Sequence, residues 1–160
     1  MSQQAPKKRS SQQIGAAHEA AVRRLLTQWG VHYIPKQRCQ TALGSILTLD
    51  FLVSGTADRP AVVLECKDFG VEAANPEDSK RRKTQEALWL LVQLRRHCTE
   101  TKDARLVLVT GANCLNREQE NLLRAELGPD FHIVSVSEDT ILKQLVSGSA
   151  PTAASQTTGA

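Results

Sequence analysis

The stretch Ile46-Leu47-Thr48-Leu49-Asp50-Phe51-Leu52-Val53-Ser54, the turn-forming Gly55-Thr56-Ala57-Asp58-Arg59-Pro60, and then Ala61-Val62-Val63-Leu64-Glu65-Cys66-Lys67 decide how this chain folds. Two apolar runs rich in strand formers flank a loop, which is the pattern of an antiparallel hairpin. Closed symmetrically about that loop, the hairpin sets Ser54 opposite Ala61 and Asp50 opposite Glu65. Strand side chains alternate faces, so Lys67 shares the face of Glu65. Facing residues have Cβ atoms roughly 4.5–5.5 Å apart. A slip of one residue would send the two acids to opposite faces, so their meeting depends on a symmetric loop.

Charged groups in such apolar runs are costly unless paired, hydrated or bound to metal. Two carboxylates this close repel unless a cation lies between them. Mg²⁺ takes oxygen ligands and is commonly held by one or two carboxylates plus substrate phosphate. Asp50 and Glu65 supply carboxylates, and the backbone carbonyl of Cys66 offers a further oxygen. A metal there would polarise a phosphate and acidify a bound water. Lys67 would orient or help deprotonate that water, or stabilise charge developing on the phosphate. The competing reading is a buried salt bridge in which Lys67 neutralises one acid.

Around the hairpin the periodicity changes. Ile14, Val22, Leu25, Leu26 and Trp29 recur at helical spacing, which predicts a helix over 11–29 with Gly30 as its stop. Val31 to Pro35 reads as a short strand, followed by strands over about 45–54 and 61–67. Ser79 is placed to cap a long helix to His97, with Ala87, Leu88, Leu91 and Leu94 on one face. Arg105–Thr110 is a strand, Asn116–Leu127 a helix ended by Gly128, Phe131–Ser137 a strand and Glu138–Val146 a last helix. The order α-β-β-β-α-β-α-β-α predicts an α/β domain with parallel crossovers in its second half.

The spacing Asp50…Glu65-x-Lys67 within this order resembles the PD-(D/E)XK nuclease superfamily, which includes restriction endonucleases, Holliday-junction resolvases and repair nucleases. Members place the Asp at the end of one core strand and E-x-K on the next. Leu49, not proline, precedes Asp50, a departure that is common in the family. The likeness extends over roughly residues 11–137, whose first six elements match the α-β-β-β-α-β core. It implies a restriction-endonuclease-like fold, with a central mixed sheet flanked by helices, and a Mg²⁺ (or Mn²⁺) site. It also implies that Glu19, an acid on the first helix, completes that site; the alternative is local pairing with Arg23 at i+4. Some branches carry Gln-x-x-x-Tyr on the long helix. Gln85 matches its first position and would place a water or phosphate, while Trp89 replaces the Tyr and is expected in the core. His18 is read as an ordinary helix residue.

Lys80, Arg81, Arg82 and Lys83 crowd the start of the long helix, where cations oppose the dipole, and this points to phosphate contact. The alternative is a solvated charged face. Arg95 and Arg96 at the other end are explained by the dipole alone. A net charge of +3 permits nucleic-acid binding without demanding it. Of the 160 residues 41% are apolar, enough for one domain's core, and no stretch has the length of a membrane span. Residues 1–10 read as a basic tail, with Lys7, Lys8 and Arg9 solvated or reaching phosphates, and 147–160 as a disordered low-complexity tail. No secretory signal opens the sequence, and Cys39, Cys66, Cys98 and Cys114 form no C-x-x-C pair. Reduced thiols in a cytoplasmic protein are expected.

These readings converge on an enzyme, a Mg²⁺-dependent DNA endonuclease of restriction or structure-specific type. A Holliday-junction resolvase or repair nuclease is the alternative within that class. A homodimer is expected, because cutting both strands needs two sites, and RNA stays open as a substrate. No G-x-x-x-x-G-K-[ST] motif is present to drive translocation. From other classes come a non-catalytic nucleic-acid-binding module on the same fold and a structural salt bridge in an unrelated domain.

Overall fold

The structure, a computed structural model, describes residues 11–68, 76–111 and 115–148. Its helices are α1 (Ser11–Gln28), α2 (Pro76–His97), α3 (Arg117–Leu127) and α4 (Asp139–Ser147). The strands are β1 (Ile34–Pro35), β2 (Arg38–Gln40), β3 (Ile46–Thr48), β4 (Phe51–Val53), β5 (Val62–Lys67), β6 (Arg105–Thr110) and β7 (Phe131–Ser135). A five-stranded sheet runs β1-β4-β5-β6-β7, and β2 and β3 form a separate two-stranded sheet. β1, β4 and β5 are antiparallel neighbours, whereas β5, β6 and β7 run parallel. The domain is therefore α/β with a mixed sheet flanked by helices.

The hairpin has the register expected of a symmetric loop. Phe51 faces Leu64, Leu52 faces Val63 and Val53 faces Val62. Thr56 and Arg59 bridge within the loop, and the Thr56 N–H donates to the Arg59 carbonyl at 2.9 Å. β5 is buried on both faces, as its apolar run requires of a central strand. Val62, Leu64 and Cys66 point to a core shared with Val22 and Leu26 of α1 and Leu142 and Leu145 of α4. Val63 points the other way, to Ala87, Leu91 and Leu94 of α2 and Leu123 and Leu127 of α3.

The strand expected over 45–54 is broken. Leu49 and Phe51 are both fully buried, yet they belong to cores on opposite faces of the main sheet. Residues two apart on a straight strand would share a face. The chain bends at Asp50, so β3 leaves the main sheet and pairs with β2 (Cys39 facing Leu47). β2 gave no sequence signal, because only Cys39 in its three residues is apolar and buried.

The long helix begins at Pro76, three residues before the expected cap Ser79. Proline suits a first helical position, and Asp78 then falls in the first turn, where an acid suits the dipole. The basic run falls in later turns, which removes the dipole penalty inferred from the sequence. α3 begins as expected, with Asn116 and Gln119 forming a reciprocal capping box. α4 continues to Ser147, one residue beyond expectation, and ends at Gly148 with φ 81°. The tails 1–10 and 149–160, and Cys114, lie outside the described residues.

Gly55 opens the loop that sets the hairpin register. A Cβ there would stand 2.6 Å from the Ala61 backbone nitrogen and 2.9 Å from the Arg59 carbonyl. Gly55→Ala should therefore lower stability by about 1–3 kcal/mol, the range for forced overpacking. A urea midpoint equal to wild type would show that the loop relaxes freely.

Candidate active site

The site lies where β4 begins and β5 ends. Parallel strands usually present functional groups at their C-terminal ends, and β5 brings Glu65 and Lys67 there. The buried Asp50 carboxylate sits at the bend, where its Oδ2 accepts the Cys66 N–H at 2.8 Å. The Cys66 N–H is thus engaged by Asp50. The other oxygen, Oδ1, accepts Lys36 Nζ at 2.8 Å. That ammonium also lies 2.7 Å from Glu19 Oε2, on α1. On β5, Lys67 Nζ lies 3.0 Å from Glu65 Oε1.

α1 is held over the strand ends by His18. Its buried Nε2 lies 2.9 Å from the Val109 carbonyl, and Val109 is the β6 residue facing Cys66. The next residue, Glu19, is thereby carried to Asp50. Arg23 does not take Glu19 as its partner; its guanidinium carbon sits 5.9 Å from the centroid of the Phe51 ring.

Glu65 is 3% exposed, and its Oε2 has no hydrogen-bond partner. Burial, followed by the negative charge of Asp50, pushes its pKa up to about 7 despite the pairing with Lys67. Burial works to neutralise Lys67, but attraction and hydrogen bonding to Glu65 outweigh it and raise the lysine pKa. Lys36 is likewise raised, because Asp50 and Glu19 together overcome its desolvation. Burial raises the Cys66 thiol, helped by Asp50 and Glu65, so it is not an activated thiolate.

Of the residues singled out from sequence, Asp50, Glu65, Lys67 and Glu19 come together. Gln85 is exposed on α2, and the α2 charge that reaches Lys67 is that of its neighbour Glu86. Trp89 is 65% exposed, contrary to the core position expected of it. The helix buries Ala87, Leu91 and Leu94, and Trp89 falls outside that stripe. Lys83 Nζ donates to the Asp68 carbonyl at 2.8 Å, just beyond β5. Arg81 and Arg82 are exposed and lie 3.5 Å from Asp78 and 3.8 Å from Glu86. The Lys80 side chain lies outside the described part of the molecule.

Lys36 is the residue that sequence reasoning missed. It follows Pro35 in a tight turn and adopts φ 52°, left-handed for a residue with a side chain. Neither strand alternation nor helical spacing signals such a position. Among the described residues, no group of three or more His, Cys, Asp or Glu side chains is arranged to hold a metal ion. Instead the Lys36 ammonium bridges Glu19 and Asp50.

The high Glu65 pKa has a consequence for stability. The folded chain keeps a proton that the unfolded chain releases as pH rises from 4.5 to about 7. The stability contributed by this group is full below the lower value and lost by the upper, a change of about 3 kcal/mol. Glu65→Gln should therefore gain stability relative to wild type between pH 4.5 and about pH 7. Urea unfolding in a chelating buffer tests this, and a pH-independent difference would refute the raised pKa.

The chain matches no protein-family model, and no curated protein shows significant similarity to it.

Proposed function

We propose that this chain is a Mg²⁺-dependent DNA endonuclease with a restriction-endonuclease-like core of the PD-(D/E)XK type. The observation that carries the proposal is Glu65 Oε2, a buried carboxylate oxygen without a partner in the neighbourhood of Asp50. Three acids, Glu19, Asp50 and Glu65, stand against two lysines, Lys36 and Lys67. One carboxylate is thus in surplus when all are ionised. An all-oxygen donor set with surplus negative charge suits a hard cation such as Mg²⁺ or Mn²⁺.

Asp50 Oδ1, Glu65 Oε2 and Glu19 would hold the cation, while Asp50 Oδ2 stays on the Cys66 N–H. The bound metal would supply Lewis acidity to the scissile phosphate and to a water. Lys67, an ammonium paired with Glu65, would orient the attacking water and face the charge developing on phosphate. The loosely paired Arg81 and Arg82 are free to exchange Asp78 and Glu86 for backbone phosphates, with Lys80 and Lys83 on the same helix segment. Double-strand cleavage would require a second copy of the chain, as a homodimer. The thiols Cys39, Cys66 and Cys98 are free, which suits a reducing cytoplasm. Among the described residues, no helix is long and apolar enough to cross a membrane.

One observation favours a second reading. Both lysines are already paired within the cluster, as in a fixed ion network that supports a non-cleaving module. Incubation with supercoiled plasmid and Mg²⁺ separates the two. Wild type should nick or linearise the plasmid, and Lys67→Ala and Asp50→Asn should each reduce the rate by about 10²–10³-fold. Cleavage that survives both substitutions would remove the site. Binding without cleavage on plasmid, branched DNA and RNA would favour the module.

A further inference from the structure

We propose that Lys36 is a resident cation, which holds Glu19 and Asp50 together in the metal-free protein and yields both carboxylates when a divalent ion enters. This rests on the metal site of the nuclease reading and assigns a role to a residue outside the acid-and-lysine motif. The Lys36 ammonium lies 2.7 Å from one carboxylate and 2.8 Å from the other. It thereby does for this pair what a divalent ion would do, by offsetting their repulsion. Without such a charge between them, two neighbouring acids would separate or take up a proton.

The backbone at Lys36 is shaped for this placement. A φ of 52° is disfavoured for any residue with a Cβ, and Lys36 is the one non-glycine with positive φ among the described residues. Its N–H donates to the Asp50 carbonyl at 3.0 Å, so the main chain is pinned to the residue whose carboxylate the side chain holds. The side chain itself is half exposed and can swing into water without disturbing the sheet. Lys67 already serves Glu65 at 3.0 Å, so release of Lys36 would leave Glu65 with its own partner. Displacement would thus free a prearranged pair of oxygens in the cluster whose Glu65 Oε2 has no partner and whose Asp50 charge is felt by Glu65.

Calorimetric titration with Ca²⁺ and with Mg²⁺, checked by the metal-induced rise in melting temperature, tests the exchange without reference to cleavage. Lys36→Met keeps the apolar stem and removes the charge. Lys36→Gly removes the charge and accepts the left-handed backbone, so at least one variant keeps the local fold. Both should bind the ion roughly tenfold or more tightly than wild type, within the usual range of coupling between bound species. Equal affinity in wild type and variants would overturn the exchange and leave the metal site standing. Weaker binding in the variants would also overturn it, by making Lys36 a support of the site. Absence of binding by all three proteins would remove the metal site and the exchange together.

Discussion

The hydrogen bond from the Cys66 N–H to Asp50 Oδ2 is the contact on which the rest of the arrangement depends. It is buried and charge-assisted, a class of bond roughly twice as strong as its neutral counterpart. It ties the bend between β3 and β4 to the end of β5. The bend in turn sends Leu49 and Phe51 into opposite cores, so both layers of helices gain an anchor from neighbouring residues. Loss of this carboxylate would unseat more than a ligand. It would leave a buried N–H unsatisfied and remove the reason for the chain to turn there. Oδ2 is engaged by the fold, and Oδ1 is the oxygen that meets Lys36.

Much of this was legible in the sequence where a single period ruled. β5 and β6 are apolar runs with no competing pattern, and β6 spans the expected Arg105–Thr110. The register of β4 on β5 followed from the symmetry of the loop, which Gly55 and the Thr56–Arg59 bridge enforce locally. Where tertiary contacts overrode local preference, the reading failed. The run 45–54 looks continuous because each half is apolar, and only the side-chain bond across the hairpin breaks it. Trp89 looks like core by composition, but the stripe of α2 is already filled by Ala87, Leu91 and Leu94. The helix start was misplaced because Ser79 is a good cap in isolation, while Pro76 and Asp78 make a better first turn. Lys36 could not be found at all, since a left-handed turn residue belongs to neither strand nor helix periodicity.

The energetics of the cluster bear on what it is kept for. A buried ion pair rarely adds more stability than well-packed apolar residues of the same volume. Here the account is less favourable still, because the most buried acid is the one with an unpartnered oxygen and an upward-shifted pKa. A glutamine or an apolar residue at 65 would serve β5 better if folding were the only demand. Groups held at a cost to stability collect at functional sites.

The distribution of exposure within the cluster points the same way. Two of the three carboxylates are more deeply buried than the cations. Asp50 and Glu65 side chains are 12% and 4% exposed, while Lys36 and Lys67 are 50% and 26% exposed. Glu65 is carried by β5, and Asp50, at the bend before β4, is held through the Cys66 backbone N–H. Each lysine reaches the cluster on a flexible stem with one side open to water. Buried anions beneath more exposed cations would suit a receptor for positive charge. The Lys36 ammonium then occupies the place that a divalent ion would take in the proposed nuclease.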